Sequence, residues 1–270
     1  MKKVFSALGA TVLVGVLAAA PAGATNGMDM IGYSTRSIGM GGADVAVDGD
    51  ASSVGGNPAV VSAATPSSAT LQFTGLMPSL TYKDPYQEVD GESQTFPMPL
   101  LGYVHKVAGS PWSVGIGMYA QGGMGVDFKN VMTPAGTKDE IMSEVAFLRV
   151  NPLVAYEVNP NLKLGATLMF GYAMAKFSLF PDTPGMNSGM DVKDLTSFGY
   201  AAKIGAQYKV NDQLRLGATY LSKSSVNLDG GTATLNFGPQ GGLVKYDAAM
   251  EDFTWPQEVG SAWPTCRRRG

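Results

Sequence analysis

Apolar side chains recur at every second position through most of the chain, with polar or small residues between them. The clearest example lies within residues 144–158, where Leu148 and Val150 fall on one side and Arg149 and Asn151 on the other. A period of two is typical of β-strands that have one apolar face. We predict about eight such strands, at residues 67–80, 98–107, 111–121, 144–158, 161–178, 192–210, 213–227 and 243–253.

The connections between these strands differ in length. Tight turns are expected at 159–161 and 211–213, and longer loops rich in Gly, Pro and Asp at 122–142, 180–192 and 229–242. Long strands with short turns on one side and longer loops on the other are typical of outer-membrane β-barrels. We therefore predict an all-β fold, a transmembrane antiparallel β-barrel. The alternative is a secreted β-sandwich, whose strands also alternate.

Residues 25–66 differ in composition and pattern, since they are rich in Gly, Ala, Ser and Asp and show no sustained periodicity. We predict short helical turns joined by tight bends, forming a plug (hatch) inside a wide barrel. The alternative is a disordered periplasmic extension. Met30, Ile31, Ile38 and Val45 make the segment too apolar for that alternative to be preferred.

The first 24 residues have the organisation of an export signal. Lys2 and Lys3 precede an apolar stretch at 4–20, and Ala22-Gly23-Ala24 fits a small-x-small cleavage site. The apolar stretch is short and no stop-transfer pattern follows, so a signal peptide cleaved near Ala24 is expected rather than a transmembrane helix. The predicted location is the outer membrane of a Gram-negative bacterium.

The amino-acid composition excludes several possible functions of the protein. Only 15% of the 270 residues are charged, the net charge is −3 and the mean hydropathy is +0.05. No basic surface for nucleic acid is therefore expected. The single cysteine, Cys266, excludes an intrachain disulfide framework, and the single histidine, His105, excludes a multi-histidine metal site.

Candidate chemistry is sparse. Gly39, Gly41 and Gly42 superficially resemble a phosphate-binding loop, but no strand precedes them and no lysine follows, so a packing segment is favoured. Three carboxylates nearby lack the spacing of a calcium loop and are predicted to be solvated or helix-capping (Asp44, Asp48 and Asp50). No catalytic, cofactor-binding or metal-binding residue is predicted.

Within the 25–66 segment, the motifs resemble those of the FadL-type outer-membrane transporters. The family pattern consists of a small-residue G-x-G-x-A segment, a D-A-(S/T) step and an N-P-A triplet. In this sequence they read Gly39–Ala43, Asp50–Ser52 and Asn57–Ala59, and the segment 252–257 (DFTWPQ) also resembles the family. The hatch motif residues are thus Gly39, Gly41, Gly42, Asp50, Asn57, Pro58 and Ala59.

The resemblance implies a 14-stranded barrel plugged by a hatch. It also implies passive uptake of hydrophobic compounds, either long-chain fatty acids or aromatic hydrocarbons, without cofactors. Solutes would bind an apolar pocket approached by Thr25, Asn26 and Gly27 and leave sideways through a gap in the barrel wall. The implied partners are outer-membrane lipid, the hydrophobic solute and the barrel-assembly machinery.

The end of the chain departs from this pattern. The barrel region, 67–258, supplies about eight of fourteen expected strands, and the stretch 259–270 ends in CRRRG rather than on an aromatic residue. We expect a frameshifted or truncated product that does not transport, since an eight-stranded barrel has no room for a hatch. The alternative is a natural basic tail. Two rival functions are an adhesin-like structural barrel and a barrel-embedded lipid hydrolase that uses His105.

Overall fold

The computed structural model describes residues 29–63, 66–183 and 189–263. The predicted signal peptide, Thr25, Asn26, Gly27 and the CRRRG sequence lie outside these residues. Strands dominate the described part, and no helix in it is long and apolar enough to cross a membrane. The short helices are α1 (Thr35–Gly39) and α2 (Gly238–Gly241), with 3-10 turns at Ala51–Ser53 and Pro58–Ala63.

Twelve strands are present in the described residues. They are β1 (Ser67–Leu76), β2 (Thr81–Lys83), β3 (Glu88–Asp90), β4 (Phe96–Lys106), β5 (Trp112–Met132), β6 (Lys138–Asn159), β7 (Leu162–Leu179), β8 (Gly189–Lys209), β9 (Arg215–Leu221), β10 (Ser224–Asn236), β11 (Leu243–Trp255) and β12 (Glu258–Ala262). Ten of them form one sheet, ordered β1-β4-β5-β6-β7-β8-β10-β11, while β9 pairs with β8 and β12. Strands β2 and β3 form a separate hairpin. All pairings are antiparallel, as predicted.

Three predicted loops are shorter than the alternation indicated. Strand β5 continues to Met132 and β6 begins at Lys138, so most of 122–142 is a hairpin rather than a loop. Likewise β8 begins at Gly189 and β10 continues to Asn236. Glycines at 122, 123, 125, 230 and 231 interrupt the apolar positions of these extensions, so the apolar–polar alternation that identifies a strand is weakened there.

The two faces of the sheet are inverted relative to a water-soluble protein. Large apolar side chains on the outward face are exposed, including Leu168, Phe170 and Tyr200. Polar side chains on the inward face are buried, with Arg149 1% and Lys203 6% exposed. An apolar outside and a polar inside are expected of a barrel wall in lipid and not of a secreted sandwich. Residues 29–63, the N-terminal segment, pack against the inward face.

Candidate functional site

The N-terminal segment folds as a series of capped turns. Ser34 begins α1, and its hydroxyl accepts a hydrogen bond from the Ser37 N–H at 3.1 Å. Beyond the helix, Gly41 and Gly42 take left-handed φ angles of 62° and 80°, and a side chain on Gly42 would collide with the backbone of Ile31. These two glycines therefore close a tight turn that an L-residue would strain.

The Asn57-Pro58-Ala59 triplet is tied to the barrel wall. Asn57 is 2% exposed, and its amide donates hydrogen bonds to the carbonyls of Val45 at 2.7 Å and Ala206 at 3.0 Å. Its side-chain oxygen accepts from the Ala59 N–H at 3.0 Å. The triplet fits because Gly165 and Gly205 face it, and a side chain at either position would overlap it.

Inward-facing side chains also hold the backbone of the segment. Lys203 donates to the carbonyl of Gly55 at 3.1 Å, and Gln207 donates to the carbonyl of Ala46 at 2.9 Å. Both are buried. Because unpaired buried carbonyls are costly, these polar residues of the wall stabilise the irregular backbone of the N-terminal segment.

Asp48 forms an ionic link between the segment and two strands. Its carboxylate lies 2.9 Å from Lys163 Nζ on β7 and 2.6 Å from Arg215 Nη1 on β9. Partial burial by itself would raise the pKa of Asp48, but the two cations lower it below its ordinary value. The expectation of a solvated or helix-capping carboxylate is therefore wrong for Asp48. Asp50 does cap a turn, accepting from the Ser52 N–H at 2.8 Å.

Strands β4 and β5 separate part-way along their length. Their pairing ends at Leu100 and Tyr119, although β4 continues beside β1 to Phe96. Strand β5 continues beside β6 with one extra residue, Gln121, between Ala120 and Gly122. This β-bulge bends β5 away from β4 and leaves a split in the sheet.

Two prolines explain why the split does not close. The N–H of Lys106 points to the β1 side, where it donates to Pro66 at 2.9 Å, and that of Val107 points to the β5 side. Backbone groups of an antiparallel strand alternate between its neighbours, and β4 has no register shift against β1. The nitrogens of Pro97 and Pro99 therefore face β5. Neither carries an N–H, so neither can donate to a ladder there.

An apolar cavity of about 830 Å³ lies at the split. Its walls come from β1, β4, β5, β6 and β7 and include Phe73, Phe96, Met98, Val145, Phe147 and Met174. Among the described residues that line the cavity, Glu144 is the one with a charge, and its carboxylate is paired with Lys176 at 2.8 Å. A concave apolar space with few polar groups is suited to a hydrophobic ligand.

A second cavity, about 520 Å³ in volume, has a mixed polar and apolar lining and lies between the N-terminal segment and β9 and β12. Gly41, Gly42 and Asn57 line it together with Lys203 and Glu258. Among the residues that the structure describes, no group of three or more His, Cys, Asp or Glu side chains is placed to hold a metal ion.

The sequence matches an established family of outer-membrane proteins. The sequence model of the family described as outer membrane protein transport protein (OMPP1/FadL/TodX) matches residues 15–260. The chain belongs to this family. The family assignment confirms the outer-membrane location and the β-barrel class predicted from the sequence. The comparison with curated proteins returns no match.

Solved structures of toluene transporters share the fold. TodX of Pseudomonas putida superposes with a TM-score of 0.72 at 18% identity, covering 89% of this chain and 68% of its own. TbuX of Ralstonia pickettii gives 0.71 at 21% identity, covering 85% and 67%. A FadL homologue of Pseudomonas aeruginosa gives 0.56 at 17% identity, covering 77% and 55%. The chain thus spans about two thirds of the length of the first of these relatives.

The structure brings most of the FadL-type motif residues together. Asp50 and the Asn57–Ala59 triplet lie in one unit against the inner wall, while Gly41 and Gly42 face the second cavity. Gly39 ends α1 with open space around it. Sequence reasoning missed Pro97, Pro99 and Gln121. Two prolines at alternate positions, Pro97 just before the predicted strand 98–107 and Pro99 within it, were the available signal.

Proposed function

We propose that this FadL/TodX-family chain serves as an outer-membrane channel for passive uptake of hydrophobic compounds. The expectation of a product that does not transport rests on an eight-stranded barrel with no room for a hatch, whereas ten strands form the sheet and the N-terminal segment packs against its inward face. The observation that carries the proposal is the apolar cavity at the split between β4 and β5, which is lined by both inward-facing Phe147 and outward-facing Leu148. A solute in that cavity has a lateral path through the sheet to the lipid. Some structural relatives are monoaromatic hydrocarbon channels, so we propose aromatic hydrocarbons as the first class to test, with long-chain fatty acids as the second.

The lateral path is favoured by solvation energies. An aromatic ring buries about 150–250 Å², which is worth about 4–6 kcal/mol at roughly 25 cal/mol per Å². A route straight down the interior would carry the solute past buried Arg149, Lys203 and Gln207. That route would replace apolar contacts with polar ones. The sideways route keeps the solute in apolar surroundings and needs no covalent step.

We propose further that the residues just ahead of the described chain approach the cavity. Asp29 forms an isolated β-bridge with Gly122, which lines the cavity. Gly27 is two residues before Asp29, and consecutive Cα atoms are at most about 3.8 Å apart. The proposal for Thr25, Asn26 and Gly27, which lie outside the described residues, rests on this short separation along the chain. Outer-membrane lipid and the barrel-assembly machinery are proposed as the other partners.

The lipid-hydrolase alternative depends on His105. Its Nδ1 lies 2.8 Å from the hydroxyl of Ser67, directly opposite on β1. The two residues occupy outward-facing positions near the end of the sheet where a short turn joins β4 to β5, away from the apolar cavity. Within the described residues, no carboxylate hydrogen-bonds the ring to orient it, as nucleophilic catalysis by such a pair requires. Transport without catalysis is the better-supported proposal.

Uptake by whole cells tests the proposal directly. Cells that express the full chain are compared with cells carrying an empty vector for accumulation of radiolabelled toluene, oleate and arabinose. We expect faster accumulation of toluene or oleate and no change for arabinose. Equal rates for all three solutes in both strains would contradict the proposal and favour the adhesin-like alternative. A gain for arabinose as well would indicate a general pore.

A further inference from the structure

Asp29 joins two strands that are remote from each other in sequence. One oxygen of its carboxylate accepts a hydrogen bond from Gln121 Nε2 on β5 at 2.9 Å. The same oxygen accepts from Trp255 Nε1 at the end of β11 at 2.8 Å. Both donors belong to buried side chains, 1% and 2% exposed. Each would be left without this acceptor if the carboxylate were removed.

The backbone at this point supplements the side-chain contacts. Asp29 makes an antiparallel bridge with Gly122, and the N–H of Met30 donates to the carbonyl of Gln121 at 3.3 Å. These contacts fall on the bulge where β5 leaves β4. Pro99, which lies next to Leu100 on the unpaired side of β4, has no N–H to donate to β5. Asp29 and Met30 thus supply contacts to β5 where β4 does not.

Trp255 connects the same carboxylate to the wall of the apolar cavity. Its ring packs against Phe147, with centroids 4.8 Å apart, and Phe147 lines the cavity. Phe147 and Trp255 belong to one buried apolar cluster on β6, β7, β8, β10 and β11. A single residue ahead of α1 therefore contacts both the bulge and the residue that supports the cavity wall.

We propose that Asp29 is a positioning residue that fixes the Gln121 bulge and so holds the split between β4 and β5 in its open form. The proposal rests on the function proposed above, because an open split matters only if solute passes through it. The carboxylate acts as a hydrogen-bond acceptor for two buried donors. Its negative charge is not what the position requires.

Two substitutions at Asp29 distinguish a requirement for a hydrogen-bond acceptor from a requirement for a negative charge. Asp29→Asn keeps an oxygen that can accept both hydrogen bonds, whereas Asp29→Leu has a similar size and no acceptor. Asp44→Leu is the matched control, since this carboxylate lies in the same segment and has no hydrogen bond to β5 or β11 within the described residues. All variants are made in the full chain.

The first readout is the fluorescence of Trp255 in a Trp112→Phe, Trp263→Phe background, which reports the contact whether or not transport occurs. We expect Asp29→Leu to move the emission to longer wavelength and to increase quenching by acrylamide. Asp29→Asn and Asp44→Leu should match the parent. The proposal is overturned if Asp29→Leu matches the parent, or if Asp29→Asn behaves like Asp29→Leu.

The second readout is toluene uptake by cells with equal amounts of folded protein in the outer membrane. A fall of about tenfold in Asp29→Leu, with parental rates in the two other variants, is expected. Unchanged uptake in Asp29→Leu would refute the positioning role. If the parent itself takes up no solute, the proposed function fails, while the fluorescence result still decides whether Asp29 holds the bulge. Should Asp29→Leu not fold, Gln121→Met removes the same hydrogen bond from the other side and is expected to give the same emission shift.

Discussion

The side-chain oxygen of Asn57 occupies the space that a Cβ atom on Gly205 would need. Gly205→Ala should therefore push the Asn57-Pro58-Ala59 triplet away from β8 and weaken its hydrogen bond to Ala206. We expect a loss of about 1–3 kcal/mol, the usual cost of overpacking a close contact. The temperature at which the folded, heat-modifiable band disappears on gels measures it.

The matched control is Gly39→Ala. Nothing lies within 4 Å of a Cβ at Gly39, and it ends a helix at ordinary φ, so no destabilisation is expected there. Equal thermal stability of the Gly205→Ala variant and the wild-type protein would show that the triplet does not pack against β8 as described.

The Asp48 ion pairs predict a pH dependence. Because the folded-state pKa of Asp48 is lowered, its stabilising effect is fully present above the ordinary pKa of about 3.9. It is lost as the pH falls through the lowered value. Asp48→Asn should reduce the thermal stability of the protein at pH 7, and this difference should shrink as the pH falls below about 4.

Asp212→Asn provides the comparison for that series. Asp212 also contacts a cation, Lys209, at 2.7 Å, but its side chain is 77% exposed in a turn. Exposed ion pairs contribute little to stability, so the thermal stability of this variant should equal that of the wild type at pH 7 and at pH 3. A difference between Asp48→Asn and wild type that stays constant from pH 7 to pH 3 would contradict the ionic explanation.

Filling the apolar cavity should slow uptake. Ala120→Trp places an indole ring in the lining at the point where β5 leaves β4. We expect toluene uptake to fall at least about tenfold, because the ring occupies volume that the solute needs. Ala166→Trp on the outward face of β7 is the control and should transport normally. Uptake by Ala120→Trp at the wild-type rate would place the path elsewhere.

Replacing the lone histidine tests the catalytic alternative. His105→Gln removes the ring that contacts Ser67 on the outward face. Toluene uptake should be unchanged, and no release of fatty acid from phospholipid should be detectable before or after the substitution. Lipid hydrolysis by the wild type that disappears in His105→Gln would establish an enzyme.

The sequence predicts the strands wherever lipid and a polar interior impose different demands on the two faces. Residues 161–178, predicted as one strand, correspond to β7 with bounds that differ by one residue. The prediction failed at the far end of β5, where Gly122, Gly123 and Gly125 leave few apolar side chains to mark the outward face.

The inner contacts were less predictable. Asp48 meets Lys163, which is 115 positions further along the chain, and no local pattern reports so distant a partner. The position of the split is different, because its cause is local. Pro97 and Pro99 stand at alternate positions in the sequence, and their significance emerges only when the register with β1 shows which way their nitrogens point.

The two prolines of β4 determine that the opening exists, whereas the side chains around it determine which solutes it admits. Missing N–H groups keep this edge of β4 unpaired whatever side chains surround it. Phe73, Met98 and Val145 can therefore change in size or shape without sealing the wall. Related chains that retain the prolines are free to diverge in the solutes they admit. The lining residues can likewise be redesigned while the split between β4 and β5 is kept.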